Sequence, residues 1–166
     1  MNTSWRRWTC TAALAALTSV VPAHAQKAVL LVRHAEKVDE SRDPLLSAAG
    51  NERAVALSRH LRTAGVTAIY VTEYQRTSLT AAPVAAATRV KPVVVPADHR
   101  QELVDRMRKE NADDVVLVVG HSNTIPEILA LLGHAPPVTI ASAEHDNLFV
   151  VVPRVGGAPT VLRLRY

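Results

Sequence analysis

Val29-Leu30-Leu31-Val32-Arg33-His34-Ala35-Glu36 and Val115-Val116-Leu117-Val118-Val119-Gly120-His121-Ser122 decide the fold of this chain. Each is an unbroken apolar run, rich in Val and Leu, that stops at a histidine. A strand with one wet face alternates apolar and polar residues. A run without alternation suits a strand buried on both faces, as in a parallel sheet covered by helices. In such sheets ligands lie in the crevice at the carboxyl ends of the strands. Two histidines at two such ends predict one site assembled from distant segments.

Outward from these runs, strand and helix signals alternate. The first strand covers about Ala28 to Arg33, and a polar loop from Lys37 to Pro44 follows it, with Asp43-Pro44 as a turn signal. Ser47 is a predicted cap for a helix reaching Ala64, with Ala54, Leu57 and Leu61 at helical spacing and Gly65 as its stop. A second strand is predicted over Ala68–Thr72, followed by a helical stretch to Thr88 in which Pro83 is a kink or the true start. Val93–Val95 reads as a short strand and Asp98–Glu110 as a polar, mostly exposed helix. After the Val115–Val119 strand, Ser122 is the predicted cap of a helix that runs to Leu132 and stops at Gly133. Leu148–Val152 and Thr160–Arg165 read as a strand pair joined around Gly156-Gly157. Helices between mostly parallel strands predict a three-layer α/β/α sandwich with a mostly parallel central sheet.

The first 25 of the 166 residues read differently. Arg6 and Arg7 precede an apolar stretch from Thr11 to Val21, and Ala23-His24-Ala25 offers small residues where a leader would be cut. That is the layout of a secretory signal peptide, so residues 26–166 are the expected domain and a periplasmic or secreted location is expected. The stretch is shorter than the roughly 20 residues of a spanning helix, so no stable membrane span is expected. The leader holds two of the 19 Lys and Arg residues and none of the 15 Asp and Glu, so its removal takes two from the formal charge of +4. Aromatics make up 4%, and no basic stripe interleaves with them, which argues against nucleic acid as a partner. The one cysteine, Cys10, lies in the leader, which excludes disulfides, zinc–thiolate sites and a cysteine nucleophile from the domain.

The strand ends carry the chemistry. Arg33 is a permanent cation whose planar fork suits phosphate oxygens. His34 beside it offers a ring nitrogen that attacks phosphorus when neutral. Arg76 opens the helical stretch after the second strand. His121 and Ser122 stand near the start of another helix, a natural anion-binding position. Two guanidiniums, two imidazoles and a helix N-terminus describe a phosphate pocket without metal or cofactor. No Gly-x-Ser-x-Gly elbow is present, which argues against a serine hydrolase.

Four segments, in order, carry a resemblance to the histidine phosphatase superfamily, the phosphoglycerate mutase-like fold. Leu31-Val32-Arg33-His34-Ala35-Glu36-Lys37 resembles its Arg-His-Gly motif, with Ala35 in place of the glycine. Leu46-Ser47-Ala48-Ala49-Gly50 resembles the start of its first helix. Tyr70-Val71-Thr72-Glu73-Tyr74-Gln75-Arg76-Thr77 resembles its second arginine motif. Val119-Gly120-His121-Ser122 resembles its second histidine motif, with Ser122 where the mutases have glycine. The chain lacks the mutases' insertions and looks like the small phosphatases.

The resemblance implies a metal-independent phosphatase acting on phosphate monoesters or related phosphoryl compounds. His34 is the implied nucleophile, forming a phosphohistidine that water hydrolyses. Arg33, Arg76 and His121, with Ser122, are the implied phosphate ligands. Candidate proton donors are Asp98, Glu102 and Glu36, each of which read alone is an ordinary solvated carboxylate, as is Glu73. The substrate is expected to be a small phosphorylated molecule or a phosphorylated envelope component. Two other readings stay open: a silent phosphate-binding or sensing module of the same fold, and a metalloprotein using His34, Glu36 and His121. His60, His99, His134 and His145 have no partner motif and read as surface or packing residues.

Overall fold

The computed structural model describes residues 26–154 and 156–166, and the leader expected over residues 1–25 lies outside the described residues. The strands are β1 (Ala28–Arg33), β2 (Val66–Val71), β3 (Val93–Val94), β4 (Val115–Gly120), β5 (Asn147–Arg154) and β6 (Gly157–Arg165). The helices are α1 (Ala48–His60), α2 (Gln75–Thr88), α3 (Arg100–Glu110) and α4 (Thr124–Leu131). The strands form one sheet in the order β3-β2-β4-β1-β5-β6. The first four are parallel, β5 runs antiparallel to β1, and β6 pairs antiparallel with β5. The expected three-layer, mostly parallel architecture is what the chain adopts.

The apolar runs are explained by the two faces of this sheet. Val29 and Leu31 of β1, with Val116 and Val118 of β4, pack against Leu103, Val104 and Met107 of α3 and Ile125, Ile128 and Leu129 of α4. The intervening Leu30, Val32, Leu117 and Val119 pack against Leu57 of α1 and Ala81 and Val84 of α2. Successive strand residues point to opposite faces. A strand covered on both sides therefore needs an apolar residue at every position. Among the described residues no helix is long and apolar enough to cross a membrane.

Several boundaries differ from the sequence reading. α1 ends at His60 rather than Ala64, and the chain turns before Gly65 takes a φ of +71°. Pro83 lies inside α2, so it does not set the helix start. α3 is not simply an exposed polar helix, because Leu103, Val104 and Met107 are buried beneath it. α4 begins at Thr124 and Ser122 does not cap it; the Thr124 hydroxyl instead accepts from the His121 N–H at 2.9 Å.

Candidate active site

Parallel pairing of β1 with β4 sets Arg33 opposite Gly120, so the two motif histidines leave the sheet side by side. The His34 N–H donates to the Gly120 carbonyl at 2.9 Å, and the two imidazole centroids lie 5.3 Å apart. Both rings are buried. Gly120 is required by this crossing, because a Cβ there would lie 2.8 Å from Thr124 Oγ1. Gly50 serves the same end from another side: a Cβ there would collide with the Glu36 carbonyl, where the first turn of α1 closes on the strand end.

β2 supplies the next wall. Thr72 Oγ1 lies 3.1 Å from His121 Nε2 and 3.1 Å from Thr77 Oγ1, and this hydroxyl pair fixes the imidazole. The first N–H of α2, at Gln75, donates to Asp43 Oδ1 at 2.9 Å, so the polar loop caps the helix and sets Arg76 at the opening. The Arg76 guanidinium stacks on Tyr74, 4.1 Å from the ring centroid, and Tyr74 meets His121 edge-on at 5.4 Å. Arg33 is held by three backbone carbonyls: its Nη1 donates to Ala141, Ser142 and Glu144 at 3.0, 2.8 and 3.3 Å. The Nε groups of Arg33 and Arg76 are buried and have no hydrogen-bond partner among the described residues. Buried N–H groups without partners are rare and costly. Here they are donors awaiting an acceptor.

The electrostatics suit an anion and a nucleophile. Burial pushes the His34 ring down to about 3, and His121, Arg33 and Arg76 press the same way against the hydrogen bond to Ala35. Burial, then Arg76 and Arg33, bring His121 down to about 4. Both rings are therefore neutral at physiological pH. His34 Nδ1 lies 2.8 Å from the Ala35 carbonyl. A nitrogen facing a carbonyl carries the ring proton, so the lone pair resides on Nε2.

A cavity of about 380 Å³ opens over these groups, and its walls include His34, Arg76, His121, Ser122 and Asp98. Arg33 is not on its lining. The other carboxylates are placed elsewhere. Glu36 accepts from Arg53 Nε at 2.8 Å and Nη2 at 2.5 Å. Burial pushes the Glu36 carboxyl up, but the Arg53 hydrogen bonds, its own backbone N–H and the Arg53 charge together hold it below its ordinary range. Glu102 lies 2.9 Å from His99 Nδ1, and Glu73 accepts from the Ala97 N–H. Among the described residues no three His, Cys, Asp or Glu side chains gather as a metal site would need.

The structure brings to the site residues that the sequence left without a role there, among them His145, which read as a surface or packing residue. His145 is buried with its ring 5.7 Å from that of His34, and its Nδ1 reaches the His34 carbonyl at 2.8 Å. Tyr74 and Arg100 line the cavity. His145 lies two residues before the strand that pairs with β1, which is the signal that could have marked it.

This arrangement defines a class: a phosphoglycerate mutase-like α/β sandwich with paired histidines and arginines at the strand ends. Residues 29–99, which hold the first three of the four motifs, match the family model of the histidine phosphatase superfamily (branch 1). No curated protein matches the chain in sequence. Among solved structures, the mycobacterial glucosyl-3-phosphoglycerate phosphatase superposes with a TM-score of 0.67 at 14% identity, over 84% of this chain and 98% of that one. The alpha-ribazole phosphatase of Shigella flexneri gives 0.70 at 13% identity, over 84% and 96%. The protein histidine phosphatase SixA, complexed with tungstate, gives 0.64 at 18% identity, over 83% and 96%. At these identities the likeness establishes the fold.

Proposed function

We propose that the chain is an exported, metal-independent phosphatase that hydrolyses phosphate monoesters or related phosphoryl compounds through a phosphohistidine on His34. The observation that carries this reading is a neutral, buried His34 with its lone pair on Nε2, flanked by the unpartnered Nε groups of Arg33 and Arg76. Nε2 attacks phosphorus as the bond to the leaving oxygen breaks, and the Asp98 carboxyl gives that oxygen its proton. Asp98 takes this role because it lines the cavity, whereas Glu36 and Glu102 do not. Water then attacks the phosphohistidine, returns a proton to Asp98, and the P–N electron pair goes back to the neutral ring. Arg33, Arg76 and His121 offset the charge on the equatorial oxygens, with Ser122 at the rim.

The cavity suits a small phosphorylated molecule, and the leader motivates a phosphorylated envelope component as the second candidate. Purified protein lacking residues 1–25, assayed against a panel of sugar phosphates, phosphorylated glycolipids and phosphohistidine peptides, tests both. Turnover of at least one compound that persists in a strong chelator is expected. Phosphate binding without turnover of any would favour a silent sensing module, and activity lost to the chelator would favour a metalloprotein.

A further inference from the structure

We propose that His145 is a positioning residue for the nucleophile, holding the His34 backbone through its carbonyl and sharing one loop with the support of Arg33. The inference rests on His34 as the nucleophile and concerns how that ring is held in register. The β1–β5 ladder ends at Val32 opposite Leu148, and the β1–β4 ladder ends at Arg33 opposite Gly120. The His34 carbonyl therefore lies past the last strand partner of β1. His145 takes over at that point: its Nδ1, which must carry the proton to face a carbonyl, donates to His34 O at 2.8 Å. The imidazole thus does what the next backbone N–H of an antiparallel partner would have done. It does not line the cavity, so it acts through His34 rather than on substrate.

The loop that carries His145 is itself anchored. Its residues Ala141, Ser142 and Glu144 give the carbonyls that hold Arg33. Glu144 accepts from the Ala141 N–H at 2.8 Å and from Arg165 at 2.6 Å, and Asp146 is paired with Arg165. The Tyr166 hydroxyl donates to the His145 carbonyl at 3.2 Å. One loop therefore fixes both the nucleophile and the adjacent guanidinium. A misplacement of about 1 Å in a reacting group can cost a hundredfold in rate.

The test compares His145→Asn, His145→Leu and His145→Ala. Asparagine keeps an N–H donor as many bonds from Cα as Nδ1, leucine keeps the asparagine shape without the donor, and alanine removes both. Single-turnover phosphorylation of the enzyme by p-nitrophenyl phosphate is measured with steady-state kcat and KM and inhibition by inorganic phosphate. The leucine and alanine variants should form phosphoenzyme about 10- to 100-fold more slowly, with KM and phosphate inhibition changed less than about threefold. The asparagine variant should recover most of the wild-type rate. Wild-type rates in the alanine variant overturn the proposal, as does an asparagine variant no faster than alanine. Should the leucine variant fail to fold, the asparagine–alanine comparison decides alone. A His34→Ala variant with undiminished turnover would strike at the nucleophile itself, and is thereby distinguishable from failure of the His145 proposal.

Discussion

The proposed attack on phosphorus requires His34 to keep its lone pair, and burial beside Arg33 and Arg76 favours the neutral ring. Its ring is held down to about 3 and that of His121 to about 4, so neither gains a proton between pH 5 and pH 8. Heteronuclear NMR of the free protein should show both imidazoles unchanged over that range, and a ring titrating near 6.5 would contradict it. In the same reading the imidazoles contribute no loss of activity on acidification until about pH 4. Replacing His34 by Ala should lower p-nitrophenyl phosphate turnover by at least about a thousandfold, since a covalent path would be lost. Replacing Arg76 by Ala removes a charge-assisted donor of about 1.5–3 kcal/mol, so inhibition by inorganic phosphate should weaken roughly 10- to 100-fold. Unchanged phosphate inhibition would remove Arg76 from the site. His34 and His121 were legible in the sequence because each ends an apolar run, and strand ends in parallel sheets are binding positions. His145, Tyr74 and Arg100 were not, because loops and helix starts carry no periodicity and only the folded chain brings Tyr74 and Arg100 to the cavity and His145 against His34.

At the scale of elements, the sequence revealed strand and helix types better than their limits. The runs in β1 and β4 carry no alternation because helices cover both faces, and that same absence identified them. Ser122 was expected to cap α4, yet the cap position falls one residue later at Asn123, and the hydroxyl of Thr124, the first helical residue, accepts from the His121 N–H. Such a choice between neighbouring hydroxyls is made by tertiary approach at Gly120 rather than by local preference. The contact at Gly50 gives a sharper case. The Glu36 carbonyl fills the space of a side chain, so Gly50→Ala must push α1 away from the strand end. Overpacking of this kind costs about 1–3 kcal/mol. Thermal denaturation should show a melting temperature lower by several degrees, as α1 with Arg53 separates from Glu36 at the strand end. A variant as stable as the wild type would show that this junction yields freely.

For the whole molecule, the buried neutral rings tie stability to pH. The unfolded chain binds protons at histidine near pH 6.5, whereas native His34 and His121 refuse them until about pH 3 and 4. Between pH 6.5 and pH 4 the unfolded state therefore holds more protons, and stability falls on acidification by up to about 1.4 kcal/mol per pH unit for each ring. Above pH 6.5 this contribution is level. Urea denaturation at a series of pH values should give midpoints that rise to about pH 7 and then flatten, and replacement of both histidines by Ala should remove most of that slope. Another global consequence concerns timing. Translation delivers His34 early, and the arginines of β6 that pin the Arg33-holding loop emerge long afterwards. A partly made chain carries both motif histidines while the guanidinium beside them still lacks its cradle. The support of Arg33 is thus completed only when the last hairpin docks and Arg163 and Arg165 reach Glu144 and Asp146.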